Sequence, residues 1–233
     1  MEFIGEHLWP GRIGHFFVLL SFLTSLAATV CYFFGQQKRS EPDRRQWRQL
    51  GRIFFLTESI SVVSIFGVLF FILYNHLFEF KYAWQHSSRS LEMKYLLSCF
   101  WEGQEGSFLL WSFWHCVLGL FIIRKEKTWE APVMTIVSFA QVMLATMILG
   151  LPFFGNEIGS NPFVLLRNKL DAPIFSDPSY LSKLTDGNDL NPLLQNYWMV
   201  IHPPVLFLGF ASTLIPFSYA IAALWTRDYK GWT

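Results

Sequence analysis

Gly14–Phe34 reads GHFFVLLSFLTSLAATVCYFF, and no Asp, Glu, Lys or Arg interrupts the chain between Arg12 and Lys38. An uncharged apolar run of ~20 residues is long enough to cross the hydrocarbon core of a bilayer as an α-helix. The run is continuous rather than alternating, which separates it from a half-buried strand. Four further blocks resemble it. They are Ile53 to about Phe78, with Glu58 in its first turns; about Gly106–Ile123; Ala131–Phe154; and a fifth from near Pro203 to Trp225 or Thr226. Composition agrees: 52% of the 233 residues are hydrophobic and 15% charged, against ~25% charged in a soluble domain. Backbone polar groups in lipid must be satisfied within the chain, which favours helices. The expected fold is all-α, a polytopic transmembrane helix bundle of about five spans. It forms a single transmembrane domain over residues 1–233, with short interfacial helices on its outer face.

Cys31, Cys99 and Cys116 form no CxxC pair, zinc spacing or CxxCH haem-attachment site. The chain is therefore neither a disulfide scaffold nor itself a cytochrome c. The net charge of +1 sums two faces of a membrane, and no nucleic-acid partner is expected. Met1–Arg12 carries Glu2 and Glu6 without a basic stretch ahead of the first apolar run, so no cleavable signal peptide is expected.

Orientation follows from where Lys and Arg collect. The Gln36–Arg52 segment holds Lys38, Arg39, Arg44, Arg45, Arg48 and Arg52 against Glu41 and Asp43. With five spans it shares one side with Arg124–Glu130 and the Arg227–Lys230 tail. Phe80–Glu105 and Gly155–Met199 are longer and nearer charge balance. The N-terminus is thus expected outside, which in a bacterium is the periplasm. On that outer side Ser90 is expected to cap a short interfacial helix over Leu91–Trp101. Asn191-Pro192 is expected to open a surface helix to about Val200, since Pro suits the first helical position.

Leu190–Phe210, LNPLLQNYWMVIHPPVLFLGF, is the stretch richest in chemistry. Proline disfavours helical geometry in the residue before it. His202 is therefore expected in a stiff elbow at the outer mouth of the fifth helix, with Pro203 and Pro204 opening that helix. A neutral imidazole there can ligate iron axially, or it can simply cap the helix among lipid headgroups. In Trp101–Trp111, WEGQEGSFLLW, the tryptophans suit a membrane interface in any case. Glu105 at the membrane edge is either a site residue or satisfied by Ser107 or a basic side chain. Glu58 and His115 lie deeper, where an unpaired ionisable group costs several kcal/mol. Glu58 is expected to pair with Arg52 or Arg48. His115 is read as a neutral histidine bonded to a neighbouring helix rather than a haem ligand. His7, His15, His76 and His86 have no supporting context.

These stretches resemble the signatures of the cytochrome c maturation haem lyases, the CcmF/CcsA family of haem-handling membrane proteins. One signature reads approximately WGxHEGSLLLW and is matched by Trp101, Glu105, Gly106, Ser107, Leu109, Leu110 and Trp111. The other reads approximately DLNPLLQ…HPPLLYMGY and is matched by Asp189–Gln195 and His202-Pro203-Pro204. Ser160-Asn161-Pro162-Phe163 resembles a short outer-loop signature. Two positions depart: Glu102 stands for the first glycine, and Gln104 for the histidine before Glu-Gly-Ser. The family's tryptophan-rich outer loop and its second histidine segment do not occur within residues 1–233.

The resemblance implies the N-terminal part of a haem lyase (a cytochrome c synthase) in the cell inner membrane. Such a protein receives non-covalent, b-type haem at the outer face and presents it to apocytochrome c, whose CxxCH thiols add to the haem vinyl groups. It implies a haem site drawing on Trp101, Glu105, Trp111, Pro203 and Pro204, with His202 as the iron's axial ligand. Implied partners are apocytochrome c, other cytochrome c maturation membrane proteins and the C-terminal part of the haem lyase. The competing expectations are a haem-independent transporter, which would need discontinuous helices near the midplane, and a membrane scaffold in which His202 is dispensable. Reporter fusions after Gln46 and after Asp177 are expected to read opposite sides of the membrane, the first cytoplasmic; a shared side would sink the topology.

Overall fold

The structure is a computed structural model that describes residues 3–38 and 40–230. Glu2, Arg39 and the chain end, which entered the expectations above, lie outside the described residues. Among the described residues five helices are long and apolar enough to cross a membrane: α1 (Leu8–Gln37), α2 (Glu41–Tyr74), α6 (Gln104–Lys125), α7 (Glu130–Leu149) and α8 (Tyr197–Thr226). Three short helices, α3 (Lys81–His86), α4 (Met93–Leu96) and α5 (Cys99–Glu102), lie between α2 and α6. A two-stranded hairpin, β1 (Leu151–Phe153) with β2 (Asn156–Ile158), follows α7.

Several boundaries differ from the hydropathy reading, for physical reasons. α1 starts six residues before Gly14 because Pro10 falls in its first turn, where backbone N–H groups have no intrahelical partner to lose. The basic Gln36–Arg52 segment is mostly helix. Ser40 is the N-cap of α2, Pro42 lies in its first turn, and Glu41 and Asp43 sit there too, where the helix dipole favours acids. α2 ends at Tyr74, capped by Asn75, rather than at Phe78: His76 takes φ 50°, and the Leu77 N–H turns back to the Ile72 carbonyl. α7 ends at Leu149, capped by Gly150, left-handed at φ 69°, so Leu151–Phe153 becomes a strand instead of the last turn of a span.

The expected helix over Leu91–Trp101 is two separate turns. Glu92, not Ser90, is the N-cap of the first, while the Ser90 hydroxyl bonds Ser88. The expected surface helix from Pro192 is a single 3-10 turn, Pro192–Leu194, capped by Asn191. A new cap, Asn196, whose side chain accepts the Met199 N–H at 3.1 Å, then starts α8. The fifth span thus begins six residues before Pro203.

The basic helix ends gather at one face. Arg52 donates from Nε and Nη2 to the two oxygens of Glu130 at 2.6 and 2.5 Å, with Arg48 3.9 Å away. Glu130 is fully buried, and the Tyr32 hydroxyl lies 3.5 Å from it. This clip joins α2 to α7 over a core that includes Phe55, Met134 and Val137. The adjoining turn is set by Glu126, which accepts the backbone N–H groups of Lys127, Thr128 and Trp129. Burial works to raise its carboxyl, but these three donors and the Tyr219 hydroxyl of α8 outweigh it and hold it below the usual carboxylate range.

The opposite, distal face is roofed by the long connections. Glu6 accepts from Arg167 at 2.7 Å and from the Tyr180 hydroxyl at 2.8 Å. Phe80 pairs with Leu165, and the Ser88 hydroxyl donates to Asp189 at 2.8 Å. Beneath lies the larger core, with Ile65, Leu69, Leu73, Phe80, Tyr82, Phe100 and Leu109.

Glu58 does not meet Arg52 or Arg48. It lies deep in α2, where Gln141 of α7 donates to it at 2.6 Å, and Gln141 in turn accepts from Ser112 of α6 at 2.9 Å. The arginines are spent on Glu130 instead. Removing the exposed end of that pair strands a buried charge, whereas removing the buried end leaves Arg52, 42% exposed, free to reach water. Arg52→Leu is therefore expected to cost ~3 kcal/mol of stability, and Glu130→Gln only ~1 kcal/mol. Thermal unfolding of the purified chain in detergent reads the order, and the reverse order would contradict the clip.

Candidate functional site

The distal face is organised around the elbow where α5 meets α6. Tyr82 of α3 is buried, and its hydroxyl donates to the carbonyls of Cys99 and Phe100 at 3.0 and 2.9 Å. Burial, reinforced by the Glu105 carboxylate nearby, holds that hydroxyl well above its ordinary range, so it stays a donor. The elbow is tight: a methyl built on Gly106 would stand 1.4 Å from the Phe100 carbonyl oxygen. The Ser107 hydroxyl donates to the Trp101 carbonyl at 2.9 Å. Ser107 therefore does not satisfy Glu105, nor does any basic residue. Glu105 is nearly buried in the first turn of α6 and takes no side-chain hydrogen bond or ion pair among the described residues. The N-terminal end of the helix dipole favours its charge.

Pro203 and Pro204 lie inside α8, and His202 is the helix's sixth residue. The expected elbow at His202 does not form. Proline disfavours a helical predecessor without forbidding it, and its main cost is a missing N–H. In a continuous helix the N–H at 203 would bond the carbonyl of residue 199. The Trp101 indole N–H fills that vacancy, donating to the Met199 carbonyl at 2.8 Å. Tryptophan and proline, ~100 residues apart in sequence, are thus two halves of one hydrogen bond. Deeper, Trp111 packs against Phe207 and Phe210 of α8, ring centroids 6.1 and 5.8 Å away. The two motif stretches share one surface.

His202 is exposed and has no side-chain hydrogen bond among the described residues. Trp198 and Val205, four residues before and three after it on the same helix face, are exposed as well. An unpaired imidazole amid flat apolar groups suits the axial position and one face of a planar macrocycle. Among the described residues no three His, Cys, Asp or Glu converge, so these residues offer an iron single imidazoles rather than a cage. Cys99 does not compete for it: burial first, then Glu102 and Asp189, push its thiol up to about 12.

Two further places emerge. A cavity of about 540 Å3 between α6, α7 and α8 is lined by Trp111, His115, Phe139, Met143, Phe210 and Phe217. His115 lies beside Gln141, and its Nδ1 has no partner among the described residues. Three of the four histidines set aside in the sequence do have polar partners. His7 meets Glu79 at 3.0 Å, His15 meets Asn161 at 2.9 Å, and His86 meets Glu102 at 3.0 Å. No local pattern could have announced these, because the partners lie 16 to 146 positions away.

The chain matches the family model described as Cytochrome C assembly protein over residues 101–231. The cytochrome c-type biogenesis protein CcmF of Pseudomonas aeruginosa is 27% identical over 234 residues, covering 95% of this chain and 32% of its own length. The cytochrome c-type biogenesis protein NrfE of Haemophilus influenzae is 25% identical over 95% of this chain and 33% of its own. A solved structure of the cytochrome c heme lyase CcmF has the same fold, with a TM-score of 0.71 at 21% identity over 96% of this chain and 32% of that one. The chain spans about a third of the length of the curated relatives it matches.

If Trp101 stands in for the missing proline N–H, Trp101→Phe should cost ~1–3 kcal/mol, the price of an unpaired carbonyl. It should also speed amide exchange in the first turns of α8. Pro203→Ala supplies the backbone donor, so in that background the loss should shrink by at least ~1 kcal/mol. A double-mutant cycle that is merely additive would remove the pairing.

Proposed function

The chain belongs to the cytochrome c assembly protein family, and from that premise we propose that it is the haem-presenting part of a haem lyase, with His202 as one axial ligand to iron. The observation that carries the reading is the state of His202: exposed, unpaired, and three residues past the carbonyl that Trp101 clamps. The basic face is cytoplasmic on the rule that Lys and Arg stay inside. The distal face, with His202 and the N-terminus, is then the periplasmic side of the inner membrane.

Bound haem, b-type and non-covalent, supplies the vinyl groups to which the thiols of apocytochrome c add. This chain's residues bind and orient. Pro203 and Pro204 stiffen the turn that bears His202, since their rings fix φ. Trp101 sets the height of that turn against α6. Trp111 holds α8 to α6 one layer deeper, and Glu105 places a carboxylate at the membrane edge. Cys31, Cys99 and Cys116 are all buried, so the reacting thiols come from the apocytochrome. The second axial ligand and the tryptophan-rich loop belong to the remaining two-thirds of the relatives' length, on whichever polypeptide carries it. Apocytochrome c and other maturation membrane proteins are the expected partners. The transporter alternative is disfavoured because α8 runs unbroken through its prolines where a discontinuous helix would be required.

In membranes holding the chain with its full complement, His202→Ala should abolish the six-coordinate haem spectrum and cytochrome c assembly together. Added imidazole should restore part of both, because it refills an axial position without rebuilding any helix contact. Unchanged haem content and assembly would remove His202 from the site. Loss without rescue would make it a structural residue.

A further inference from the structure

The distal face holds a second imidazole of a different kind. His86, the last residue of α3, places Nδ1 3.0 Å from Oε2 of Glu102. Both side chains are mostly covered but still reach solvent, at 19% and 15% exposed. Among the described residues neither has another hydrogen-bond partner. A carboxylate can only accept, so Nδ1 carries the hydrogen and Nε2 keeps its lone pair.

The surroundings pack against the ring, whose side chain stays 19% exposed. Nε2 faces Gly103, where a methyl group would stand 2.9 Å from it. The Tyr82 ring lies 4.7 Å from the imidazole, and its own hydroxyl is tied to two carbonyls. The other histidines differ. Glu79, beside His7, also accepts the His7 backbone N–H at 3.0 Å and so caps the chain. His15 meets a neutral amide, and His202 has no carboxylate. Glu102 directly follows Trp101, whose indole holds α8 three residues before His202. One turn of helix therefore positions both imidazole-bearing segments.

We infer that His86, oriented by Glu102, is the proton-accepting base of this face, acting on a cysteine thiol of an unfolded polypeptide presented beside His202. The inference rests on the haem-presenting reading above. Nε2 removes the S–H proton, and the sulfur electron pair forms a C–S bond to one vinyl carbon. The vinyl π pair takes the proton back from Nε2 at the other carbon. One S–H bond and one π bond are exchanged for one C–S and one C–H bond. No electrons enter or leave, and the imidazole is regenerated. A neutral imidazole is suited to such transfer near neutral pH.

The test uses His86→Ala, His86→Gln and Glu102→Gln in membranes holding the full complement. Haem retention, read from the absorption spectrum, should stay within about twofold of wild type. Thioether formation should fall at least ~100-fold in both His86 variants, the lower end of what a positioned base supplies, and by less in Glu102→Gln. Imidazole should restore part of the rate to His86→Ala but none to His86→Gln, whose side chain still fills the space. Independently of haem, diethyl pyrocarbonate should acylate His86 in the unloaded protein, as peptide mapping would show. An unreactive His86, an undiminished rate, or loss of the haem spectrum in His86→Ala would each overturn the assignment. Wild-type membranes that retain no haem would instead overturn the haem-presenting reading, with acylation still deciding whether Nε2 is free.

Discussion

One hydrogen bond, from the Trp101 indole to the Met199 carbonyl, makes the rest of the distal face possible. Consecutive prolines in the second turn of α8 delete two backbone donors near a bilayer, where an unpaired carbonyl is expensive. A kink or an unwound turn would be the usual outcome. For the first of the two the donor arrives sideways from a four-residue helix; α8 stays continuous through both prolines, and His202 keeps a defined place on it. Because the bond crosses between elements, it also fixes the height of α8 against α6.

That donor is placed by a chain of close contacts rather than by hydropathy. Tyr82 ties down two carbonyls of α5, Gly106 lets α6 begin against the Phe100 carbonyl, and Ser107 takes up the Trp101 carbonyl. The motif's glycine and serine are explained by this turn without any ligand. At the other face the Arg52–Glu130 clip and the Glu126 cap hold the remaining helix ends. The bundle is thus fastened at both faces by polar groups, and between them an apolar filling surrounds the buried Glu58–Gln141–Ser112 network.

The spans were legible in the sequence because uncharged runs have few alternatives in lipid; all five lie where the runs do. The ends were less legible. Hydropathy does not register that Pro10 and Pro42 sit harmlessly in first turns, or that charged residues such as Arg44 and Arg48 lie on a helix as readily as in a loop. The elbow expected at His202 failed because the compensating donor is ~100 residues away, and proline is read from its neighbours alone. Glu58 was assigned to the nearest arginines along the chain, while the fold gave those to Glu130 and gave Glu58 an amide from α7. The resemblance gathered Trp101, Trp111 and His202 on one surface, but His86 was invisible because its orienting carboxylate, Glu102, is a departure from the family signature.

Trp101 and Glu102 are neighbours on a single turn, and they hold α8 and α3 respectively. Successive helical residues point ~100° apart, so the turn grips its two clients in different directions. Any thermal displacement of that turn carries both clients with it. Such motion is shared, and it leaves the separation between the two imidazole-bearing segments nearly unchanged. The geometry is therefore set by the stiffness of four residues rather than by the accumulated slack of the whole bundle.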